Sequence, residues 1–241
     1  MMPLVSICIP CFRYERYIVD CLMSCCNQDY DNVEIVVVDD ASPDRSAEMV
    51  QKVRDPRIKL IRHKENKGYS AAKNTGIRAS KGEYITTLDA DDMMTPVSIG
   101  KRVRFLNEHT ETDVVHGIAY KVAGGCGYGK ALLKQEMFAF DTRCKIHAQG
   151  VMVRRVAYER YGLYYEALRS KADKEMWQRM LLLGAKFTKI STKCAFYRMH
   201  EKSMLSMRNR NPDYDRKVTK LYYKRIEDVK KRGMDAIEER L

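Results

Sequence analysis

The sequence contains no long apolar segment and no secretion signal. None of its 241 residues lies in an apolar run of 18 or more, whereas a helix that crosses a bilayer needs about 20 such residues. The chain passes from Met1, Met2 and Pro3 directly into a strand-like run, without the apolar core of a signal peptide. We therefore expect a cytoplasmic location, with peripheral association at the inner face of a membrane as an open alternative.

Common nucleotide and metal motifs are also absent. No G-x-G-x-x-G follows the first predicted strand and no G-x-x-x-x-G-K-[ST] occurs, which removes the usual dinucleotide and P-loop interpretations. Among the eight cysteines, Cys8 and Cys11 form a C-x-x-C with no second one to complete a zinc site. We expect free thiols that pack as small apolar side chains.

What the chain does have is a surplus of positive charge. The formal net charge is +12, and 45% of the residues are hydrophobic, which is enough to build a core. The length suits one large domain, or one domain with an appendage. The charge favours a polyanionic partner, such as nucleic acid, anionic lipid or a phosphorylated ligand, without choosing among them.

The first half of the chain alternates between strand and helix patterns. Predicted strands cover residues 4–10, 33–38, 58–61 and 84–88, and predicted helices cover 17–28, 46–54 and 69–79. Such alternation implies right-handed crossovers and a mostly parallel sheet. We therefore predict an α/β fold with a Rossmann-like, mostly parallel central sheet flanked by helices.

The second half is less regular. A helix should start at Thr95-Pro96, and further helices are predicted at 154–161 and 173–183. Strands are predicted at 113–122, 187–190 and 194–199. The glycine-rich residues 124–129 do not open a helix, so a plain turn is favoured over a phosphate-binding loop.

Three carboxylates follow the predicted strand at 84–88. Asp89, Asp91 and Asp92 lie within four residues, at a point where open α/β sheets bind ligands. Crowded carboxylates repel one another unless a cation joins them, and oxygen ligands suit Mg²⁺ or Mn²⁺. The alternative is a solvated acidic turn.

Five stretches in a fixed order carry a more specific signal. They are Val5 to Pro10, Val37-Val38-Asp39-Asp40-Ala41-Ser42, Asn66 to Gly76, Asp89-Ala90-Asp91, and Ala172 to Trp177 followed by Tyr197-Arg198-Met199-His200. Together they resemble glycosyltransferase family 2, over roughly residues 3 to 207. The resemblance implies a GT-A fold with a nucleotide-binding half at 1–92 and an acceptor-binding half at 93–207.

The resemblance also implies roles for individual residues. Asp173 falls at the position of the catalytic base, and Asp91 and His200 fall at the positions of metal ligands, with Mn²⁺ or Mg²⁺ as the cofactor. Residues implied in binding the nucleotide sugar are Pro10, Phe12, Asp39, Gly68, Lys73, Asp89, Ala90 and Arg198. For Lys73 and Asp173 the plainer alternatives are a solvated helix face and a helix N-cap.

The implied activity is that of an inverting, metal-dependent glycosyltransferase. It would move a sugar from a nucleotide-diphosphate sugar, with a UDP-sugar favoured, to a hydroxyl of a saccharide or lipid-linked glycan. Three alternatives stay open: glycosylation of a modified DNA base, a nucleotidyltransferase, and a non-catalytic basic module that binds nucleic acid.

Residues 208–241, which lie outside the stretch that resembles the family, are predicted to form a basic amphipathic helix. An apolar stripe recurs at three- and four-residue steps: Tyr214, Val218, Leu221, Tyr222, Ile226 and Val229. Lysines and arginines surround it. The helix either docks this stripe on the domain or brings the protein to an anionic surface, whether a membrane or DNA.

Overall fold

A central mixed sheet with helices on both faces organises the chain. The computed structural model describes residues 2–123, 127–128, 146, 148–201 and 212–237. Within these residues eight strands pair in the order β3-β2-β1-β4-β7-β6-β8-β5. The predicted α/β class is confirmed.

The N-terminal half is a parallel strand–helix repeat. Its elements are β1 (Val5–Cys11), α1 (Ile18–Cys26), β2 (Val33–Asp39), α2 (Ser46–Lys52), β3 (Ile58–Arg62), α3 (Tyr69–Ala79) and β4 (Tyr84–Thr87). β2 and β4 flank β1, β3 pairs with β2, and all three pairings are parallel. Every residue of β1 is buried, as expected for a strand covered on both faces.

The second half extends the sheet with mixed pairing. Its elements are β5 (Met93–Met94), α4 (Ser98–Glu108), β6 (Val114–Ala123), β7 (Val151–Arg154), α5 (Arg155–Tyr161), α6 (Ala172–Leu182), β8 (Phe187–Met199) and α7 (Pro212–Arg232). Short 3₁₀ turns occupy Ala148–Gly150 and Gly233–Ala236. β7 is antiparallel to β4 and β6, β5 is antiparallel to β8, and β6 and β8 are parallel.

Several predicted bounds in this half were wrong. The two strands predicted at 187–190 and 194–199 are one continuous strand, β8, which accommodates the polar residues between them through register shifts against β6. β5 and β7 were not predicted, since β5 has only two residues and β7 runs directly into α5. Helix α4 starts at Ser98, three residues later than Thr95. Of the glycine-rich loop predicted at 124–129, only residues 127–128 lie among the described ones.

Strand alternation divides the core into two layers. Ile7 and Ile9 of β1 pack in the cluster that contains α1 and α4 residues, whereas Cys8 packs in the cluster with Ile77 of α3. The second cluster also includes residues of α5, α6 and α7. Side chains on alternate faces of a strand produce this division.

Helix α7 docks on the second layer. Val218, Tyr222 and Ile226 are buried in the same cluster as Met176 and Trp177 of α6. The buried position of the apolar stripe thus supports the first of the two alternatives for the C-terminal helix, which is docking on the domain. Among the described residues no helix is both long enough and apolar enough to cross a membrane.

Candidate active site

The three carboxylates that follow β4 form a compact cluster. Ligand oxygens of Asp89, Asp91 and Asp92 all lie within 4.8 Å of one another. Asp91 and Asp92 are buried, so the solvated acidic turn does not describe them. Burial, with the neighbouring Asp91 carboxylate, raises the pKa of Asp92 well above its usual range. Burial likewise raises the pKa of Asp89 to about 6, although the Lys73 ammonium opposes this shift.

These carboxylates fit a hard divalent cation. Asp92 Oδ2 is buried and has no hydrogen-bond partner among the described residues, and an unsatisfied buried oxygen is costly unless something binds it. The ligand set consists of oxygens, which Mg²⁺ and Mn²⁺ prefer. A cation would also relieve the mutual repulsion that, after burial, helps to raise these pKa values.

The end of β8 closes one side of the cluster. His200 Nε2 lies 2.9 Å from Asp91 Oδ2. The Arg198 main-chain N–H donates to Asp92 Oδ1 at 2.8 Å, and its side-chain Nε donates to the main-chain oxygen of Asp91 at 2.8 Å. Arg198 is itself buried, so the guanidinium fixes the loop that carries the carboxylates. Lys202, which follows on the chain, lies outside the described residues.

A second charged group approaches from α3 and α6. Lys73 Nζ lies 2.7 Å from Asp173 Oδ1. The lysine is buried, and its ammonium sits over the rings of Tyr69 and Tyr164 at 4.3 and 4.8 Å from their centroids. The solvated helix face suggested for Lys73 is therefore wrong. Asp173 makes no capping bond either, because α6 has Lys171 at its N-cap and no side-chain cap.

Tyr69 connects the two groups. Its hydroxyl lies 2.7 Å from Asp89 Oδ1 and 3.2 Å from Asp173 Oδ2. Burial and the Asp173 carboxylate raise the pKa of Tyr69 well above its usual range, so the hydroxyl stays protonated and donates. The cluster and Asp173 therefore belong to one site.

Glu175, the other acidic residue of the α6 motif, is fully buried in ion pairs. Its carboxylate lies 2.8 Å from Arg179 Nε and 3.6 Å from Arg225 Nε of α7. Lys171, at the N-cap of the same helix, pairs with Asp215 of α7 at 3.3 Å. These contacts hold the first turn of α6, so Glu175 is a structural anchor, and the turn that carries Asp173 is fixed.

Asp39 lies at the end of β2 on the same edge of the sheet. Arg62 Nε reaches its Oδ2 at 3.4 Å, while Oδ1 is buried without a hydrogen-bond partner among the described residues. The adjacent Asp40 instead binds His63 Nδ1 and the main-chain N–H groups of Lys67 and Gly68. Asp39 therefore keeps one oxygen without a partner among the described residues, whereas Asp40 orders the loop.

The remaining predicted residues surround this edge. Pro10 pairs with Val38 in the parallel ladder, and the Arg13 guanidinium lies 5.1 Å from the centroid of the half-buried Phe12 ring. Ala90 is completely buried between the cluster aspartates. Gly68, which the resemblance implies in binding the nucleotide sugar, donates its main-chain N–H to Asp40 Oδ2 at 2.8 Å. Gly68 has φ +96°, and the turn into α3 therefore favours glycine.

Two contact residues were not singled out from the sequence. Gln149 Nε2 donates to Asp89 Oδ2 at 3.0 Å from a 3₁₀ turn that no sequence pattern marks. Tyr69 lies between Gly68 and Lys73 in the family motif, and this position could have identified it as a site residue. Both residues orient Asp89.

Comparison with known proteins assigns the chain to a family. The family model described as glycosyl transferase family 2 matches residues 6–206. In Escherichia coli, a protein named UDP-Glc:alpha-D-GlcNAc-diphosphoundecaprenol beta-1,3-glucosyltransferase WfaP is 28% identical over 213 residues, which are 84% of this chain and 80% of that protein. An uncharacterized glycosyltransferase of Bacillus subtilis, EpsJ, is 33% identical over 190 residues, which are 69% of this chain and 52% of that protein.

An uncharacterized glycosyltransferase of Haemophilus influenzae is 38% identical over 107 residues, which are 44% of this chain and 43% of that protein. The chain thus spans about half the length of these last two relatives.

Solved structures share the fold. Staphylococcus aureus TarS in complex with UDP-GlcNAc superposes with a TM-score of 0.74 at 22% identity, over 94% of this chain and 66% of that chain. Mannosyltransferase PcManGT from Pyrobaculum calidifontis, in complex with GDP-Man and Mn²⁺, superposes with a TM-score of 0.69 at 18% identity, over 87% of this chain and 61% of that one.

Proposed function

The chain belongs to glycosyltransferase family 2, and from this premise we propose that it transfers a sugar from a nucleotide-diphosphate sugar to an acceptor hydroxyl. The observation that carries the proposal is the single network joining Asp89 and Asp173 through Tyr69. It links a carboxylate cluster that fits a divalent cation to the partly exposed carboxylate of Asp173. Metal-assisted departure of a diphosphate and deprotonation of a hydroxyl require this combination.

In this proposal residues 1–92 bind the nucleotide. Asp39 accepts a hydrogen bond from the base through its unpartnered Oδ1. Pro10 and Phe12 line the same edge, and Asp89 contacts the ribose. UDP is the favoured nucleotide, in keeping with the donors in the names of WfaP and the TarS complex.

Asp91 and His200 would hold the divalent cation. Their side chains are in contact at 2.9 Å, next to the unsatisfied Asp92 Oδ2. Mn²⁺ or Mg²⁺ bound there would neutralise charge on the departing diphosphate. Arg198 contributes by holding the side-chain carboxylate of Asp92 and the main-chain oxygen of Asp91 in place.

Asp173 acts as the general base. Its carboxylate is partly exposed, whereas Glu175 is fully buried in ion pairs. Lys73 fixes one oxygen of Asp173 at 2.7 Å, and the partly exposed carboxylate is placed to accept the acceptor's proton. Because one base suffices for a direct displacement, the anomeric configuration inverts.

We propose a lipid-linked glycan as the acceptor, bound by residues 93–207. The support is WfaP, whose name describes an acceptor linked to diphosphoundecaprenol and which aligns with 84% of this chain. The alternative acceptor is a saccharide that offers the same kind of hydroxyl without a lipid carrier.

A donor panel tests the activity. Purified protein with UDP-, GDP- and dTDP-sugars and Mn²⁺ or Mg²⁺ should hydrolyse at least one donor slowly, and that donor should raise the Tm. Release of pyrophosphate from a nucleoside triphosphate instead would identify a nucleotidyltransferase. DNA binding without turnover of any donor would favour a nucleic-acid module.

The metal site is tested with Asp91→Asn. We expect loss of metal-dependent donor binding, and excess EDTA should abolish turnover by the unmodified protein. Asp31→Asn is the matched control, because Asp31 is an exposed carboxylate on a loop away from the cluster. Donor affinity of Asp91→Asn equal to that of the control would remove Asp91 from the ligand set.

A further inference from the structure

Helix α7 presents two chemically different faces. Its inner face is buried on the domain through Val218, Tyr222, Ile226 and Val229. Ion pairs from Asp215 to Lys171 and from Arg225 to Glu175 add to this docking. The inner face is therefore occupied, and the helix cannot offer its apolar stripe to another partner without leaving the domain.

The outer face carries a line of exposed lysines. Lys217, Lys220, Lys224 and Lys231 are all exposed, and we call them the lysine stripe. At 100° per residue they fall within an arc of about 60° on the helix, and they extend over about 21 Å along its axis. They form one continuous cationic edge.

The acidic residues of the helix form their ion pairs with basic residues outside this stripe. Asp213 pairs with Arg216, Glu227 with Lys230, and Asp228 with Arg232 and Arg225. Within the described part of the chain, the lysine stripe takes part in no ion pair with these acids. The four charges therefore remain available to an outside anion.

We propose that the lysine stripe docks the protein on the anionic headgroups of a lipid bilayer. A straight row of flexible ammonium groups matches a plane of headgroup phosphates, and juxtamembrane lysines are attracted to such surfaces. Tyr223 lies beside the stripe with 58% of its surface exposed, and tyrosine is enriched at the headgroup level. Because the apolar stripe stays buried, the contact is electrostatic and does not involve insertion.

The test neutralises the stripe without touching the docked face. A variant with Lys217, Lys220, Lys224 and Lys231 all changed to Gln is compared with the unmodified full chain in vesicle sedimentation. The vesicles contain phosphatidylcholine alone or with about 30 mol % phosphatidylglycerol. A matched control changes four exposed lysines elsewhere, Lys59, Lys64, Lys81 and Lys101, to Gln.

The unmodified protein and the control should bind the anionic vesicles, and added salt should release both. The stripe variant should bind at least tenfold more weakly, with unchanged Tm and unchanged hydrolysis of free donor. A variant with arginine at the same four positions should bind as the unmodified protein does.

Equal vesicle binding by the stripe variant and the unmodified protein would overturn the proposal. An equal loss in the control would do the same, because net charge alone would then explain the effect. Binding to duplex DNA but to neither type of vesicle would also overturn it, by identifying a nucleic-acid surface instead.

Discussion

The Lys73–Asp173 ion pair is the residue-scale feature on which the proposed chemistry depends most. The ammonium is fully buried between two aromatic rings, while Asp173 retains 26% of its side-chain exposure. A buried charge is tolerated only when it is paired. The arrangement therefore holds one carboxylate oxygen inside the protein and leaves the group accessible to an acceptor.

Asp173→Asn should separate donor binding from transfer. The amide keeps the shape of the side chain but cannot accept a proton, so we expect transfer to fall by about 10²–10⁴. Donor affinity should be unchanged, because Asp173 is assigned to the acceptor. Isothermal titration with donor and a transfer assay measure the two quantities. Near-normal transfer would show that another group is the base.

Lys73→Met should destabilise the protein as well as slow transfer. The variant leaves Asp173 unpaired and without its fixed orientation, and because this carboxylate is partly exposed the loss should be smaller than the loss of about 3–5 kcal/mol for a fully buried pair. The double variant Lys73→Met/Asp173→Asn should be more stable than Lys73→Met alone, because no unpaired carboxylate remains. Urea unfolding of the unmodified protein, the two single variants and the double variant checks this order, and strictly additive losses would contradict the pairing.

His116 gives the stability a component that depends on pH. Burial and then the Lys189 ammonium lower the pKa of His116 to about 4, from an ordinary value of about 6.5. The unfolded chain binds the proton first, so this contribution is complete above pH 6.5 and is lost as the pH falls towards 4. The unfolding free energy of His116→Gln should therefore fall less between pH 7.5 and 5 than that of the unmodified protein. Identical slopes would show that His116 does not titrate in this way.

At the scale of elements, the sequence predicted those that its local pattern delimits. Helix α3 was predicted with the observed bounds, Tyr69–Ala79, because Gly68 marks the position before the helix begins. β7 was not predicted because its four residues run directly into α5, and β8 was divided because its first half is only partly buried.

The candidate site divides in the same way. The aspartate trio and Asp173 were identified from local motifs, but the Lys73–Asp173 contact joins residues 100 positions apart. No local sequence pattern indicates such a distant contact. The sequence therefore left two roles open for Lys73: a solvated position on a helix face, or binding of the nucleotide-sugar donor. The hydrogen bond from the Gly68 main-chain N–H to Asp40 was not predicted for the same reason.

The docking of α7 predicts a sharp contrast between the buried and the exposed face of that helix. Ile226→Ala should lower the unfolding free energy by about 2–5 kcal/mol, because a buried side chain in the shared core leaves a cavity. Lys224→Ala, on the exposed face, should change it by no more than about 0.5 kcal/mol. Thermal and urea unfolding measure both variants. Equal effects would mean that the helix is not docked as described.

At the scale of the whole molecule, α7 lies beyond the family match, which ends at residue 206, yet it completes the core of the matched domain. Its residues bury Met176 and Trp177 and pair with both Lys171 and Glu175. The helix is thus both a structural part of the domain and, in our proposal, its membrane-facing edge. These two contributions can be separated experimentally.

Deletion of residues 212–241 removes both contributions at once. We expect weaker binding to anionic vesicles, a lower Tm and reduced solubility, because an apolar groove on α6 becomes exposed and Glu175 loses Arg225. The four-lysine variant should lose only the vesicle binding.

Transfer should also fall in the truncated protein, since Lys171 and Glu175 hold the turn that carries Asp173, whereas donor binding at the β2 edge should persist. Sedimentation, thermal unfolding and donor titration of the two proteins measure these differences. A truncated protein with unchanged Tm, solubility and transfer would show that α7 adds nothing to the domain, and unchanged vesicle binding would assign membrane contact to another surface.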